Sequence, residues 1–439
     1  MTTTYEEIAK DVSALKAAPN MPDYEALLAS FSWDAIRAEL DLPGGVVNLA
    51  HECVDRHAAA NPAKTAMIWE GANGAVENYS FEDMRRESAK FASVLGTLGL
   101  EKGERVFFLM DRVPELYFSV FGTLRRGAVV CPLFSAFGPD PIAERINRAQ
   151  GAIVITSPAL YPKIEAIRER IPTVRQVIVI GDRAGRRGPE GATLDYATLM
   201  QDAVEAPLEP TGNEDWSIIH FTSGTTGLPK GGSHVHGAVL GHYATGKYVQ
   251  DLQPDDGDWC TADPGWVTGT LRDVRAVVER RDEPDLRGWV QLGEVVRADP
   301  APPRDGLVHG ADGDPAADEG GRRDSAPLRP LESALRDVGR RAAQPPEGVV
   351  WGLEAFGLPF HDNWWQTETA PIADRELPLA SHPSRLDGQA IPRRPPGGHR
   401  RRVPRDHGAR RGGAAGHPRP VALDDARLLA RRGALQLAI

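Results

Sequence analysis

Short apolar runs alternate with longer amphipathic stretches from about residue 46 to residue 221. "YSFEDMRRESAKFASVLGTLGL" (79–100) places its apolar residues three and four apart, the spacing of one helical face. Ser80 and Asp83 open it as a capping box in the looser Ser-x-x-Asp form. "RVFFLM" (105–110) then reads as a buried strand, "PELYFSVFGTLRRG" (114–127) as helix and "AVVCPL" (128–133) as strand. The alternation continues through helix 141–150, strand 152–157, helix 161–171 and strand 176–181, and "SIIHF" (217–221) is one further strand. Apolar strands separated by helices of about ten residues predict an α/β fold: a mostly parallel sheet covered on both faces. Ahead of it, "YEEIAKDVSALKAA" (5–18) and "YEALLASFSWDAIRAEL" (24–40) carry helical spacing and predict a helical extension over 1–45, closed by "LDLPGG". No stretch reaches about 18 consecutive apolar residues, so no membrane span is expected.

Composition divides the chain. Residues 1–270 hold 8 Lys, 16 Arg and 23 of the Phe, Trp and Tyr residues. Residues 271–439 hold no Lys, 27 Arg and six aromatics, five of them within 351–365. The last 69 residues, 371–439, contain no aromatic and carry 14 Arg against 6 acids. Ordering a residue's backbone costs about 1–2 kcal/mol, and aromatics supply about 150–250 Å² of burial each. A tail without them is therefore expected to stay disordered. The net charge of −10 argues against general nucleic-acid binding. Cys53, Cys131 and Cys260 are scattered with no paired spacing, which fits a reducing, cytoplasmic setting. The acidic, unapolar N-terminus does not read as a secretory signal.

Candidate chemistry begins where "SIIHF" runs into "TSGTTGLPKGG", Thr222 to Gly232. Gly224, Gly227 and Gly231 permit close backbone approach to a ligand. Thr222, Ser223, Thr225 and Thr226 add hydroxyls, and Lys230 adds one cation. Amides, hydroxyls and a point charge together suit a polyphosphate. This is not a Walker A loop, because two residues rather than four separate Gly224 from Gly227 and Pro229 precedes the Lys. A second candidate stretch is "PFHDNWWQTET" (359–369). A lone Trp pair would be ordinary core, but Asp362, Asn363, Gln366, Thr367 and Glu368 crowd around Trp364 and Trp365, and such groups are seldom buried without partners. His361 reads as a satisfied polar residue. His220, His234, His236 and His242 flank the glycine-rich string, and no metal cluster is expected of them.

The string resembles the phosphate loop of the adenylate-forming superfamily, which includes acyl-CoA ligases, luciferases and peptide-synthetase adenylation domains. "NLAHECVDRHAAANPAKTAMIWEG" (48–71), "DPGWVTGT" (263–270) and "FGLPFHDNWWQTET" (356–369) look like the acetate–CoA ligase branch. The resemblance covers 1–270 and 346–369. It implies an enzyme that joins acetate to coenzyme A through an acetyl-adenylate, consuming ATP with Mg²⁺; acetate, ATP and coenzyme A are the small-molecule partners. By the same resemblance Thr222, Ser223, Gly224, Thr225, Thr226, Gly227 and Lys230 clamp the phosphates, with Lys230 acting in catalysis. Residues Asp362, Asn363, Trp364, Trp365, Gln366 and Thr367 surround adenine and the α-phosphate, Thr367 bonds a phosphate oxygen, and Glu368 holds Mg²⁺, a metal that takes hard oxygen ligands. Trp365 closes the acyl pocket, and Val267 and Thr268 line it and the coenzyme A channel. A pocket of this kind discriminates by only about 1–3 kcal/mol per methylene, so propionate is a plausible minor substrate.

Two tracts depart from that pattern. Residues 271–345 show neither the aromatic-rich text nor the Gly-Glu-Pro turn expected there. After Ala370 no ribose-binding Asp, hinge or C-terminal domain is legible, and the absence of Lys beyond Lys247 leaves no catalytic Lys of the family. Arg, Ala, Gly and Pro are what GC-rich codons yield out of phase, so 271–345 and 370–439 are read as family sequence in a shifted frame; a diverged linker and basic tail is the other reading. The expected organisation is a helical extension (1–45), an adenylate-forming core (46–270), an atypical Arg/Pro/Gly-rich segment (271–345), a core segment with the nucleotide and acyl motif (346–370) and a disordered tail (371–439). Activity of the chain itself is expected to be impaired. A different short- or medium-chain acid, or a non-catalytic nucleotide-binding remnant, stay open as alternatives.

Overall fold

The computed structural model describes residues 18–40, 42, 45–71, 74–181, 194–222, 228–253, 262–270 and 367, together with the backbone of short strands at 259–260, 307–308, 363–364, 374–375, 389–390 and 435–437. In chain order come α1 (Tyr24–Ser30), α2 (Trp33–Glu39), α3 (Arg56–Ala60), β1 (Thr65–Glu70), β2 (Val76–Ser80), α4 (Phe81–Thr97), β3 (Arg105–Leu109), α5 (Pro114–Arg125), β4 (Val129–Pro132), α6 (Pro139–Arg148), β5 (Gly151–Thr156), α7 (Tyr161–Glu165), β6 (Gln176–Val179), β7 (Leu194–Asp195), α8 (Tyr196–Gln201), β8 (Trp216–Thr222), β9 (Lys230–Val235) and α9 (Val239–Tyr248).

The sheet runs β9-β8-β4-β3-β5-β6-β7, with Leu435–Leu437 along the outer edge of β9. Strands β8, β4, β3, β5, β6 and β7 are mutually parallel; β9 turns back antiparallel on β8. Their text is apolar throughout because both faces are covered: all six residues of β5 are buried. One face packs Val106, Phe108, Ile153, Ile155 and Ile218 beneath α4, α5 and α9. The other packs Phe107, Val129, Val154, Val177 and Ile219 beneath α6 and α7. The period of two splits neighbouring residues between faces, which is why Phe107 and Phe108 lie in different cores.

Helix α4 begins as the sequence predicts: the Ser80 hydroxyl accepts from the Asp83 amide at 3.1 Å, and the Ser80 amide donates to Asp83 Oδ2 at 3.0 Å. Its contact with α5 is close because position 122 is glycine; a Cβ there would meet the Ser88 carbonyl at 2.8 Å. The 24–40 stretch forms two helices rather than one. Ser32 accepts from the Ala35 amide at 3.0 Å and starts α2 afresh. Helix 161–171 likewise stops at Glu165 and continues as a 3₁₀ turn over Arg168–Arg170. The tighter turn still buries Ile164, Ile167 and Ile171 on one face. The first half of the predicted extension, residues 5–17, lies outside the described residues.

Chain order places the site. The path moves from β3 to β4 on one side, then crosses to β5 on the other. Open α/β sheets receive ligands in the crevice at the carboxyl ends of strands beside such a reversal. The segments following β3, β4, β5 and β8 all emerge at that edge.

Candidate active site

The β8–β9 hairpin carries the glycine-rich string at that carboxyl edge. Its register pairs His220 with Gly232, Phe221 with Gly231 and Thr222 with Lys230. Thr222 and Lys230 therefore stand opposite one another at the open end, Thr222 half-buried and Lys230 exposed. The residues between them that the sequence assigns to phosphates, Ser223, Gly224, Thr225, Thr226 and Gly227, lie outside the described residues. Residues that share a register position share a face, so Thr222, His220, Lys230 and Gly232 line one side of the hairpin.

Thr367 comes to that side. A Cβ on Gly232 would sit 3.8 Å from Thr367 Cγ2 and 3.9 Å from the Thr367 carbonyl oxygen, ordinary contact distances. A residue 135 positions further along the chain thus rests on β9, two residues from Lys230. Asn363 and Trp364 form a short strand antiparallel to Asp374–Arg375. Asp362, Trp365, Gln366 and Glu368 lie outside the described residues, as does His361.

Val267 and Thr268 are buried, each 5% exposed, on a turn whose geometry follows from "DPGW". Asp263 Oδ1 accepts from the Gly265 amide at 2.7 Å and the Asp263 carbonyl from the Trp266 amide at 2.9 Å, the local bonding that Asp-Pro-Gly sequences favour. The free carboxylate oxygen accepts from the Ser135 hydroxyl at 2.6 Å, tying the turn to the segment after β4. Trp266 packs on Phe134, ring centres 5.4 Å apart, and Phe134 meets Phe137 edge-on at 5.5 Å. Lys163 Nζ donates to the Ser135 carbonyl at 2.7 Å. The Ser135–Asp263 tie and this aromatic row were not singled out from sequence. The only local signal was the Asp-Pro-Gly turn, since 128 residues separate the tied pair.

Electrostatics are quiet beneath the hairpin. Burial, reinforced by His234, holds the His220 imidazole well below its ordinary pKa against a smaller opposing pull from the Gly265 backbone. The His220 and His234 rings lie 6.1 Å apart at 72°. His236 is pushed down to about 3 by burial, and its Nδ1 accepts from the Leu49 amide at 3.1 Å. Among the described residues, no three His, Cys, Asp or Glu side chains gather as a metal site, and no helix is long and apolar enough to cross a membrane.

Comparison with known proteins matches residues 54–279 to the family described as "AMP-binding enzyme". A Bacillus subtilis (strain 168) protein named acetyl-coenzyme A synthetase is 35% identical over 376 residues, covering 82% of this chain and 63% of the relative. One of the same name from Deinococcus radiodurans is 32% identical over 424 residues, covering 88% of this chain and 61% of the relative. Both alignments are too long to fit within residues 1–279, so both reach into the later tract. The chain spans about three fifths of the length of these curated relatives. A crystal structure of Brucella canis acyl-CoA synthetase superposes with a TM-score of 0.64 at 24% identity, over 84% of this chain and 67% of that one. At that identity the likeness establishes the mostly parallel α/β fold.

Proposed function

The chain belongs to the AMP-binding enzyme family, and from that premise we propose that its chemistry is ATP-dependent ligation of acetate to coenzyme A through an acetyl-adenylate. The observation that carries the reading is the hairpin: Thr222 and Lys230 face each other at its open end while Thr367 rests on Gly232 of the same strand pair. Attack of a carboxylate on the α-phosphate gathers anions, so the barrier falls mainly through positioning and charge stabilisation. Lys230 and the loop from Thr222 to Gly227 grip the β- and γ-phosphates and the departing pyrophosphate. The Thr367 hydroxyl donates to an α-phosphate oxygen. Asp362 to Gln366 surround adenine, and Trp365, Val267 and Thr268 bound the acyl group.

Glu368, the next residue after Thr367, is the Mg²⁺ ligand in this reading. A hard carboxylate suits a metal that commonly keeps few protein ligands and takes the rest from phosphates and water. When bound, the metal neutralises charge on the phosphates.

One feature sets the pace: 271–345 lacks the adenine-contacting turn of the resembled ligases. The chain therefore binds ATP but turns over slowly. Acetate- and ATP-dependent pyrophosphate release by the purified chain tests this. Turnover within the usual enzyme range of about 1–10³ s⁻¹ would sink the claim of impairment. Lys230→Ala should weaken ATP binding by about 10–100-fold, the loss of a charge-assisted hydrogen bond worth about 1.5–3 kcal/mol. Unchanged ATP affinity in that variant would remove the phosphate-loop assignment.

A further inference from the structure

The turn that carries Val267 and Thr268 is held from two sides. On one side is the segment after β4. The Ser135 hydroxyl donates to Asp263 Oδ2 at 2.6 Å, and Trp266 lies tilted on Phe134 with ring centres 5.4 Å apart. On the other side is β8. The Gly265 backbone lies close enough to His220 to act on its imidazole, and His220 pairs with Gly232, on which Thr367 rests. The turn therefore bridges the β4 segment and the side of the hairpin that the proposed site uses. Ser135 is itself fixed. Lys163 of α7 donates to its carbonyl at 2.7 Å, and Arg145 of α6 stands 4.2 Å over the Phe137 ring two residues further on.

We propose that Ser135 is a positioning residue: its hydroxyl fixes the Asp263 carboxylate, and Asp263 sets where the turn holds Val267 and Thr268 beside the hairpin. The proposal rests on the ligase reading, in which those two residues bound the acyl group. Bonding within the turn shows how one hydroxyl reaches that far. Asp263 uses both carboxylate oxygens, Oδ2 for Ser135 and Oδ1 for the Gly265 amide at 2.7 Å. Its carbonyl accepts from the Trp266 amide at 2.9 Å. The chain then closes back on it: a Cβ on Gly269 would meet the Asp263 carbonyl oxygen at 2.4 Å. Val267 and Thr268 lie between those contacts, so they move with Asp263. At 2.6 Å the tie has the length of a hydroxyl bonded to a carboxylate, a strong class of hydrogen bond. Without the hydroxyl, Oδ2 loses that donor while the Phe134–Trp266 contact remains. A hydrogen bond fixes direction, whereas two tilted rings hold separation over a range of angles. The turn would stay docked and lose its orientation.

AMP and its ethyl ester separate this role from a merely structural one, and neither requires turnover. AMP ends at its phosphate, whereas the ester carries an ethyl group where the acetyl group of an acetyl-adenylate stands. Both are titrated calorimetrically into the full chain. Ser135→Ala should weaken the ester by about threefold to tenfold, the worth of one hydrogen bond, and leave AMP within about twofold. Ser135→Thr keeps the hydroxyl and should restore the ester to near the affinity of the unsubstituted chain. Should the Ala variant not fold, Asp263→Asn leaves one acceptor oxygen for two donors and should shift the ester against AMP in the same direction. If the ratio of ester to AMP affinity is unchanged in Ser135→Ala, if both ligands weaken alike, or if Thr does not restore the ester, Ser135 does not position the turn and the ligase reading stands. If neither AMP nor the ester binds the unsubstituted chain, the ligase reading fails and this proposal fails with it.

Discussion

Residues 46–270 and residues 271–439 place opposite demands on the same fold. The first region supplies the parallel strands, both buried cores and a hairpin ending in Thr222 and Lys230. The second holds no Lys, and its six aromatics cluster almost wholly within 351–365. Yet Thr367 and the strand Leu435–Leu437, both from the second region, meet Gly232 of the first. Among the described residues, both buried cores are built before residue 271, whereas the proposed site draws on residues from both sides of it.

The largest effect should come from removing the difference. If 271–345 and 370–439 are family sequence out of frame, restoring the frame there should raise acetate-dependent pyrophosphate release by about 10³-fold or more, since positioning and charge stabilisation together supply many kcal/mol of barrier lowering. Alternative frames without ligase-like text, or a restored chain no faster than the original, would leave a genuinely diverged segment and dissolve the contrast.

Much of the first region was legible before its structure, for reasons that can be named. Strands such as β5 are buried end to end, so they read as continuous apolar runs, and α4 declares its start through Ser80 and Asp83. Boundaries failed where one side chain overrode a longer pattern, as Ser32 does between α1 and α2. The pairing of Thr222 with Lys230 across the hairpin joins the two ends of one short string. The Ser135–Asp263 tie was not legible, because only the fold brings residues 128 apart together. The antiparallel return of β9 was equally invisible to a periodicity that says nothing of direction.

A second prediction probes how rigid the first region is where the second must meet it. Gly265→Ala drives a Cβ to 2.2 Å from the Phe134 backbone, and no side-chain rotation relieves a clash with main chain. A loss of roughly 1–3 kcal/mol is expected, read as a lower denaturant midpoint with unchanged slope. A variant of wild-type stability would mean that the 263–270 turn can move, and Val267 and Thr268 with it.

Acid should weaken the hairpin region next. His236 has an ordinary pKa of 6.5 and is pushed down to about 3 by burial, and His220 moves the same way. A lowered folded-state pKa means that the unfolded chain binds the proton first. The stability from neutral His236 is therefore complete above pH 6.5 and is lost as pH falls towards 3, by up to about 1.4 kcal/mol per pH unit. Melting followed from pH 7.5 to 5 should show the decline, and His236→Gln should flatten part of it. A melting temperature independent of pH in that window would show that water reaches the imidazole.

The smallest effect concerns whether the helical extension belongs to the core. Glu39 accepts from Lys247 Nζ at 2.6 Å and from the Tyr243 hydroxyl at 2.7 Å, joining α2 to the helix that follows the hairpin. Burial raises the Glu39 pKa, but those two hydrogen bonds and the Lys247 charge outweigh it, so the carboxyl sits below its ordinary 4.5. Its contribution is complete above that value and disappears as pH falls below it. The pair is about a third exposed at Glu39 and less at Lys247, so water and salt screen it. Glu39→Gln should cost under about 1 kcal/mol, a shift of a few degrees in melting that shrinks further in high salt. Asn20 adds a second tie, its amide donating to Asp251 Oδ1 at 2.7 Å. A much larger loss in Glu39→Gln would mean that the extension buttresses α9, and through it the phosphate-binding hairpin, rather than merely lying against it.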